Sequence, residues 1–301
     1  MNAKQLYRGV VVPMVTPVTI DLAIDKEAVR RIIRTFVANG IHPLLMGTTG
    51  EGQSVSTEAA IELIKTVKEE AGDKLTIYVA LTGTVVSEQY RVMKPYADAG
   101  ADVLVATLPS YYALTEEQIY NYYDAVATAS PVPFMLYNIA STTHMSIPVD
   151  VIKRLAENKN VVGIKDSENN DERMKAVLAA IGNREDFVYF CGCAANSAIA
   201  LERGAVGIVP SGGNYIPEMY NALFNAAISG DKSKAQVLQL QTGDICKIYQ
   251  KGFTLGESLA ALKYMMSFKG ICSDNMMPPL SPLTAAQKAE VRSRLEQAGL
   301  L

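Results

Sequence analysis

The 301-residue chain has no tryptophan, two histidines and four cysteines. His42 and His144 stand far apart, and no clustered set of carboxylates makes up for them, so a catalytic metal is not expected. Of the cysteines only Cys191 and Cys193 are close, as Cys-Gly-Cys. Zinc would need a second ligand pair, so the thiols are expected to be reduced and mostly buried. No apolar run approaches the ~18 residues of a membrane-spanning helix. The opening MNAKQLYRGVVVPMVTP lacks the apolar core and cleavage site of a secretory signal. Net charge is −3, and the 20% of charged residues are mixed in sign, without a basic stripe. That excludes a nucleic-acid or membrane partner, and a cytoplasmic protein is expected.

What the chain has is apolar material in a regular order. Hydrophobic residues make up 49%, enough for a sizeable core. Apolar, β-branched runs fall at 9–14, 43–47, 75–81, 102–107, 133–137, 161–165, 187–191 and 206–209. Near-continuous apolar runs suit parallel strands buried on both faces. Amphipathic segments separate them. One spans 25–39, with Asp25 as N-cap and Gly40 just beyond its end. Others span 56–71 and 115–129, the latter with Thr115 and Gln118 in a capping-box pattern. Pro148 is expected in the first turn of a helix reaching residue 157. Strict alternation of this kind predicts a closed (β/α)8 TIM barrel. A doubly wound open sheet is the alternative, but Val15-Thr16-Pro17-Val18-Thr19 after the first strand has no glycine-rich phosphate loop. The barrel is predicted over 1–230. Residues 231–301 are predicted as a helical extension packed on it, with helices at 232–247, 255–268 and 284–297.

Barrel enzymes gather their chemistry where strands end. Lys165 ends an apolar run, Val161-Val162-Gly163-Ile164. Burial disfavours an ammonium ion, and a neutral amine can attack a ketone and form a Schiff base. The structural alternative is a lysine paired with Asp166 or another carboxylate. Tyr137, at the preceding strand end, can reach Lys165 and shuttle protons, or can simply pack the rim. Gly47-Thr48-Thr49-Gly50 can turn backbone N–H groups and two hydroxyls toward one point, a cradle for a carboxylate, or be a tight turn that caps the next helix. Pro109-Ser110-Tyr111-Tyr112 follows the fourth strand and Pro210-Ser211-Gly212-Gly213-Asn214 the eighth.

Gly47–Glu51, Pro109–Tyr112, Tyr137-Asn138 and Gly163-Ile164-Lys165 together resemble the dihydrodipicolinate synthase / N-acetylneuraminate lyase family, in order and spacing over essentially the whole chain. The resemblance implies class I aldolase chemistry on pyruvate or another 2-oxo acid, with a covalent lysine imine in place of a cofactor. It implies a homotetramer built as a dimer of dimers. Lys165 would be the Schiff-base lysine and Tyr137 the acid–base residue. Thr48 and Thr49 would hold the carboxylate and relay protons, with Gly47 and Gly50 shaping the loop. Tyr111, or Tyr112 if the loop slips by one, would be lent to a neighbouring subunit's site. Val209, Ser211 and Ser167 complete the expected substrate-binding set, with Thr142 and His144 from the loop after the fifth strand.

Two departures bear on the second substrate. Family synthases continue the fifth-strand motif as Tyr-Asn-x-Pro-x-Arg, where the arginine grips a carboxylate. Here the proline position is Ala140 and the arginine position Thr142, and a threonine cannot make a bidentate ionic pair. Neuraminate lyases carry an acidic pair after the seventh strand, where this chain reads Gly192-Cys193-Ala194-Ala195. The main reading is therefore a 2-oxo acid lyase or aldolase with a neutral or hydroxylated aldehyde partner, such as the aldehyde half of a 2-keto-3-deoxy sugar acid. The alternative is 4-hydroxy-tetrahydrodipicolinate synthase. A decarboxylase or dehydratase variant, a metal-dependent aldolase and a non-catalytic 2-oxo acid binder also stand open.

Overall fold

Eight strands close into one parallel barrel in sequence order, in a computed structural model that describes residues 2–182 and 184–301. The strands are β1 (Gly9–Pro13), β2 (His42–Leu45), β3 (Tyr78–Leu81), β4 (Val103–Thr107), β5 (Phe134–Asn138), β6 (Val161–Asp166), β7 (Val188–Cys191) and β8 (Gly207–Ile208). Helices α1 (Lys26–Asn39), α2 (Thr57–Ala71), α3 (Val86–Ala99) and α4 (Glu116–Ala129) follow the first four strands. Helices α5 (Val149–Leu155), α6 (Asp171–Ile181), α7 (Ser197–Glu202) and α8 (Pro217–Ile228) follow the last four. Three more close the chain: α9 (Lys232–Gln250), α10 (Leu255–Phe268) and α11 (Ala285–Gln297). The (β/α)8 barrel with three C-terminal helices is the predicted fold, and the open sheet is excluded.

Strand side chains alternate between two cores, because successive residues of a strand point to opposite faces. Val11, Leu44, Tyr78, Val105, Met135, Tyr137 and Phe190 form a cluster inside the barrel. Val10, Val12, Leu45, Val79, Leu104, Leu136 and Ile164 belong to a larger cluster under the helices, which also takes in Leu262, Met265 and Met266 of α10. Lys165 follows outward-facing Ile164, so it faces the barrel interior.

The helix starts follow the caps read from sequence. Asp25 accepts from the Ala28 N–H, Ser56 from Ala59, and Thr115 forms the capping box with Gln118. Gly40 takes the left-handed C-cap with φ 62°. Some boundaries differ. β2 ends at Leu45 and not at residue 47, because Met46 turns the chain with φ 59°. Pro148 is the N-cap of α5 and not a first-turn residue, and α5 stops at Leu155. A single helical turn, Ala140–Thr143, was not expected.

Candidate active site

Tyr137 and Lys165 are register partners on β5 and β6, with Thr107 beside Tyr137 on β4 and Phe190 beside Lys165 on β7. Both faces of this row are closed, and Lys165 is 3% exposed. Its Nζ lies over the Tyr137 ring, 3.7 Å from the centroid. The amine thus rests on the negative face of an aromatic ring, an environment that attracts a cation and also keeps water from that side. The pairing of Lys165 with Asp166 does not occur. Neighbouring strand residues face opposite ways, so the Asp166 carboxylate points out of the barrel. There it meets Arg173 Nε at 2.8 Å, Asn138 Nδ2 at 2.8 Å and the Glu168 N–H at 3.1 Å.

Two opposed influences act on the Tyr137 phenol. Burial pushes its pKa up. The positive charge of Lys165, the Thr48 hydroxyl and the nearby Lys165 and Ser167 side chains pull it down, and the net result is a phenol below its usual 10.0. The Thr48 Oγ1 to Tyr137 oxygen distance is 3.4 Å, a loose contact that a substrate-bound geometry can tighten.

The loop after β2 turns back on itself. Gly50 and Gly52 both donate to the Gly47 carbonyl, at 3.0 and 3.2 Å, and Glu51 donates to Thr48 at 3.1 Å. Among the described residues the N–H groups of Thr48 and Thr49 have no protein acceptor. Two free amides beside two hydroxyls are what a carboxylate cradle requires. The loop's shape is demanding: Met46 and Glu51 are both left-handed, at φ 59° and 54°. A Cβ on Gly52 would sit 1.8 Å from the Met46 carbonyl oxygen, so only glycine closes this turn.

A cavity of about 490 Å³ opens next to this loop. Gly47, Thr48, Tyr137 and Thr142 line it. So do Leu255, Leu259 and Leu280 from the C-terminal part of the chain, which the sequence did not place at the site. Its lining includes no lysine or arginine among the described residues. Thr142 stands on the wall, its hydroxyl donating to the Ile139 carbonyl at 3.3 Å.

Other expected residues lie elsewhere. Lys165 is not part of the cavity lining and sits behind the Tyr137 ring. Thr49 is buried at 7% exposure within the loop, and Gly50 packs on the Met14 carbonyl. Val209 belongs to the barrel-interior cluster. The Ser211 hydroxyl shares a 2.8 Å hydrogen bond with the Tyr249 hydroxyl and does not line the cavity. His144 is an exposed, left-handed C-cap residue (φ 59°) and does not line the cavity. Tyr111 and Tyr112 stand on the surface at 82% and 72% exposure, edge to face with each other. His42 accepts the Thr76 N–H at 2.9 Å, a structural role, and burial lowers its pKa.

Sequence reading missed Gly192. A Cβ there would come within 2.2 Å of Ser167 Oγ and 3.2 Å of Lys165 Cε. This glycine leaves room for the Ser167 side chain and, less tightly, for the lysine stem. The signal was a glycine at the end of β7, beside the lysine's strand.

The profile of the dihydrodipicolinate synthetase family matches residues 6–298. A curated relative, 4-hydroxy-tetrahydrodipicolinate synthase of Halorhodospira halophila, is 27% identical, with 100% of both chains covered. The structure of dihydrodipicolinate synthase from Bacteroides thetaiotaomicron superposes with a TM-score of 0.90 at 32% identity, covering 96% of this chain and 98% of that one. The dihydrodipicolinate synthase of Acinetobacter baumannii, solved in complex with pyruvate, gives a TM-score of 0.90 at 26% identity over 98% of this chain and 99% of its own.

Proposed function

The chain belongs to the dihydrodipicolinate synthetase family, and on that premise we propose that it joins a 2-oxo acid to an aldehyde through an imine on Lys165. Its lyase chemistry is that of the family. The observation that carries the reading is the Lys165 amine on the Tyr137 ring, next to a loop with two N–H groups that have no acceptor among the described residues. The names of the curated relatives support 4-hydroxy-tetrahydrodipicolinate synthase, the alternative activity from sequence, over the broader aldolase reading.

In the proposed mechanism the carboxylate of pyruvate docks on the Thr48 and Thr49 amides. The Lys165 amine, once it has given up its proton, attacks the ketone carbon and forms a carbinolamine. Tyr137, linked to Thr48, delivers the proton with which water leaves. The protonated imine draws electrons from C3, the Tyr137 phenolate takes the C3 proton, and the enamine attacks the aldehyde carbon, whose oxygen receives that proton back. Hydrolysis of the imine then frees the product and the lysine. Preorganised donors at the loop hold the carboxylate throughout. No metal is needed in this scheme. The proposal extends to a cytoplasmic homotetramer in which Tyr111, or Tyr112, enters a neighbour's site. Among the described residues no helix is long and apolar enough to cross a membrane.

A second reading has its own observation. The cavity wall carries Thr142 at the position where family synthases have the arginine, and among the described residues no lysine or arginine lines it; a threonine cannot pair with a carboxylate as a guanidinium does, which favours a neutral or hydroxylated aldehyde over the anionic aspartate semialdehyde. The two readings separate in one assay, condensation of pyruvate with aspartate semialdehyde against cleavage of 2-keto-3-deoxy sugar acids. Faster turnover of the semialdehyde supports the synthase, and faster cleavage supports the second reading. Turnover of neither, with an imine still formed, would leave a 2-oxo acid binder.

A further inference from the structure

Glu51 is a buried carboxylate at the edge of the carboxylate loop, and its partners come from the far end of the chain. Its side chain is 1% exposed and ion-paired with Lys263 of α10, also 1% exposed. It accepts the Met277 N–H at 2.7 Å, across 226 positions of sequence. Lys263 Nζ also donates to the Asn275 carbonyl at 2.8 Å. One carboxylate therefore ties the loop both to α10 and to the segment that follows it.

The tie reaches the free amides by a short path. The Glu51 N–H donates to the Thr48 carbonyl at 3.1 Å. Glu51 is itself left-handed at φ 54°, a conformation that a non-glycine residue keeps only where its surroundings fix it. The ion pair supplies that fixing from outside the loop. Neither Glu51 nor Lys263 takes part in the mechanism above.

We propose that Glu51 and Lys263 are positioning residues, which hold the Thr48 and Thr49 N–H groups at the height a 2-oxo acid carboxylate requires. The C-terminal helices thereby set affinity for the first substrate. This rests on the reading of Gly47–Gly50 as the carboxylate cradle.

The test needs no second substrate. The protein is incubated with graded pyruvate and reduced with borohydride, and the adduct is weighed. Half-saturation reports binding, and the rate at saturation reports imine chemistry. Removing one partner strands a buried charge and destabilises the fold, so the double variant Glu51→Gln/Lys263→Met, which removes both charges, is measured beside Lys263→Met and Lys263→Arg. The half-saturating pyruvate concentration is expected to rise by up to about a hundredfold in the double variant, with a much smaller change in the saturating rate. Lys263→Arg should recover most of the wild-type value. A folded double variant with wild-type half-saturation overturns the proposal, and so does one that loses only rate or only thermal stability. If the wild type itself forms no adduct, the imine reading fails first and the proposal falls with it. An adduct in the wild type with an unaffected double variant sinks the positioning role alone.

Discussion

The Lys165 amine lies 3.7 Å from the centre of the Tyr137 ring, because the two residues are register partners on adjacent strands of a closed barrel and both face inward. Strand alternation decides this geometry as much as the side chains do. The same alternation sends Asn138 and Asp166 outward, where the Asp166 carboxylate accepts from Asn138 and pairs with Arg173.

Tyr137→Phe should keep the fold and lower the rate of imine formation by about 10²–10⁴, the range of a positioned acid–base group. The phenol's titration offers a finer check. Burial raises its pKa and the Lys165 charge is the largest influence against that. Lys165→Met should therefore move phenolate formation to higher pH. Phenolate absorbance, with Tyr137→Phe subtracted to isolate this one tyrosine, measures the shift. A fall or no change would contradict the electrostatic account.

Gly192→Ala should impair the enzyme through crowding. The new methyl would press on Ser167 Oγ and Lys165 Cε. Overpacking of this kind costs about 1–3 kcal/mol, and misplacement of the amine should slow borohydride-trappable imine formation by up to about a hundredfold. Thermal melting and trapping rate together check it. An alanine variant that traps pyruvate at the wild-type rate would show that the lysine does not need this space.

Arg173→Met should destabilise the protein by about 3–5 kcal/mol, since it strands a buried carboxylate. Burial already raises the Asp166 pKa, and Arg173 is the largest influence against that rise. A folded pKa above the unfolded one means that the fold binds the extra proton. Stability is then greatest below the unfolded pKa and falls as pH rises through the folded pKa. Loss of Arg173 widens that window. The variant's deficit should be largest at neutral pH and shrink as pH is lowered, as urea denaturation at several pH values would reveal. A deficit that grows toward acid pH would refute the assignment.

The barrel was legible because parallel strands buried on both faces read as apolar runs, and because Asp25, Ser56 and Thr115 announce their helices by local capping chemistry. Lys165 and Tyr137 were legible as strand-end residues. The unread parts depend on contacts between distant segments. Met277 reaches Glu51 across 226 positions, and no local pattern announces that contact. Leu255, Leu259 and Leu280 carry no reactive group to mark them in the sequence, and they line the cavity. The end of β2 and the start of α5 were misplaced because single-residue backbone angles at Met46 and Pro148 set them. His144 and Ser211 were expected from their places after strand ends; the first is an exposed left-handed cap and the second is hydrogen-bonded to Tyr249, neither of which a local pattern announces.

The central claim is that one buried amine forms an imine with a 2-oxo acid. The most direct measurement is to incubate the protein with pyruvate, reduce it with borohydride, and map the modified peptide by mass spectrometry. The account predicts one reduced pyruvate per chain, on the peptide that carries Lys165, and none in a folded Lys165→Arg variant. An unmodified wild type, or an adduct on a different lysine, would contradict it.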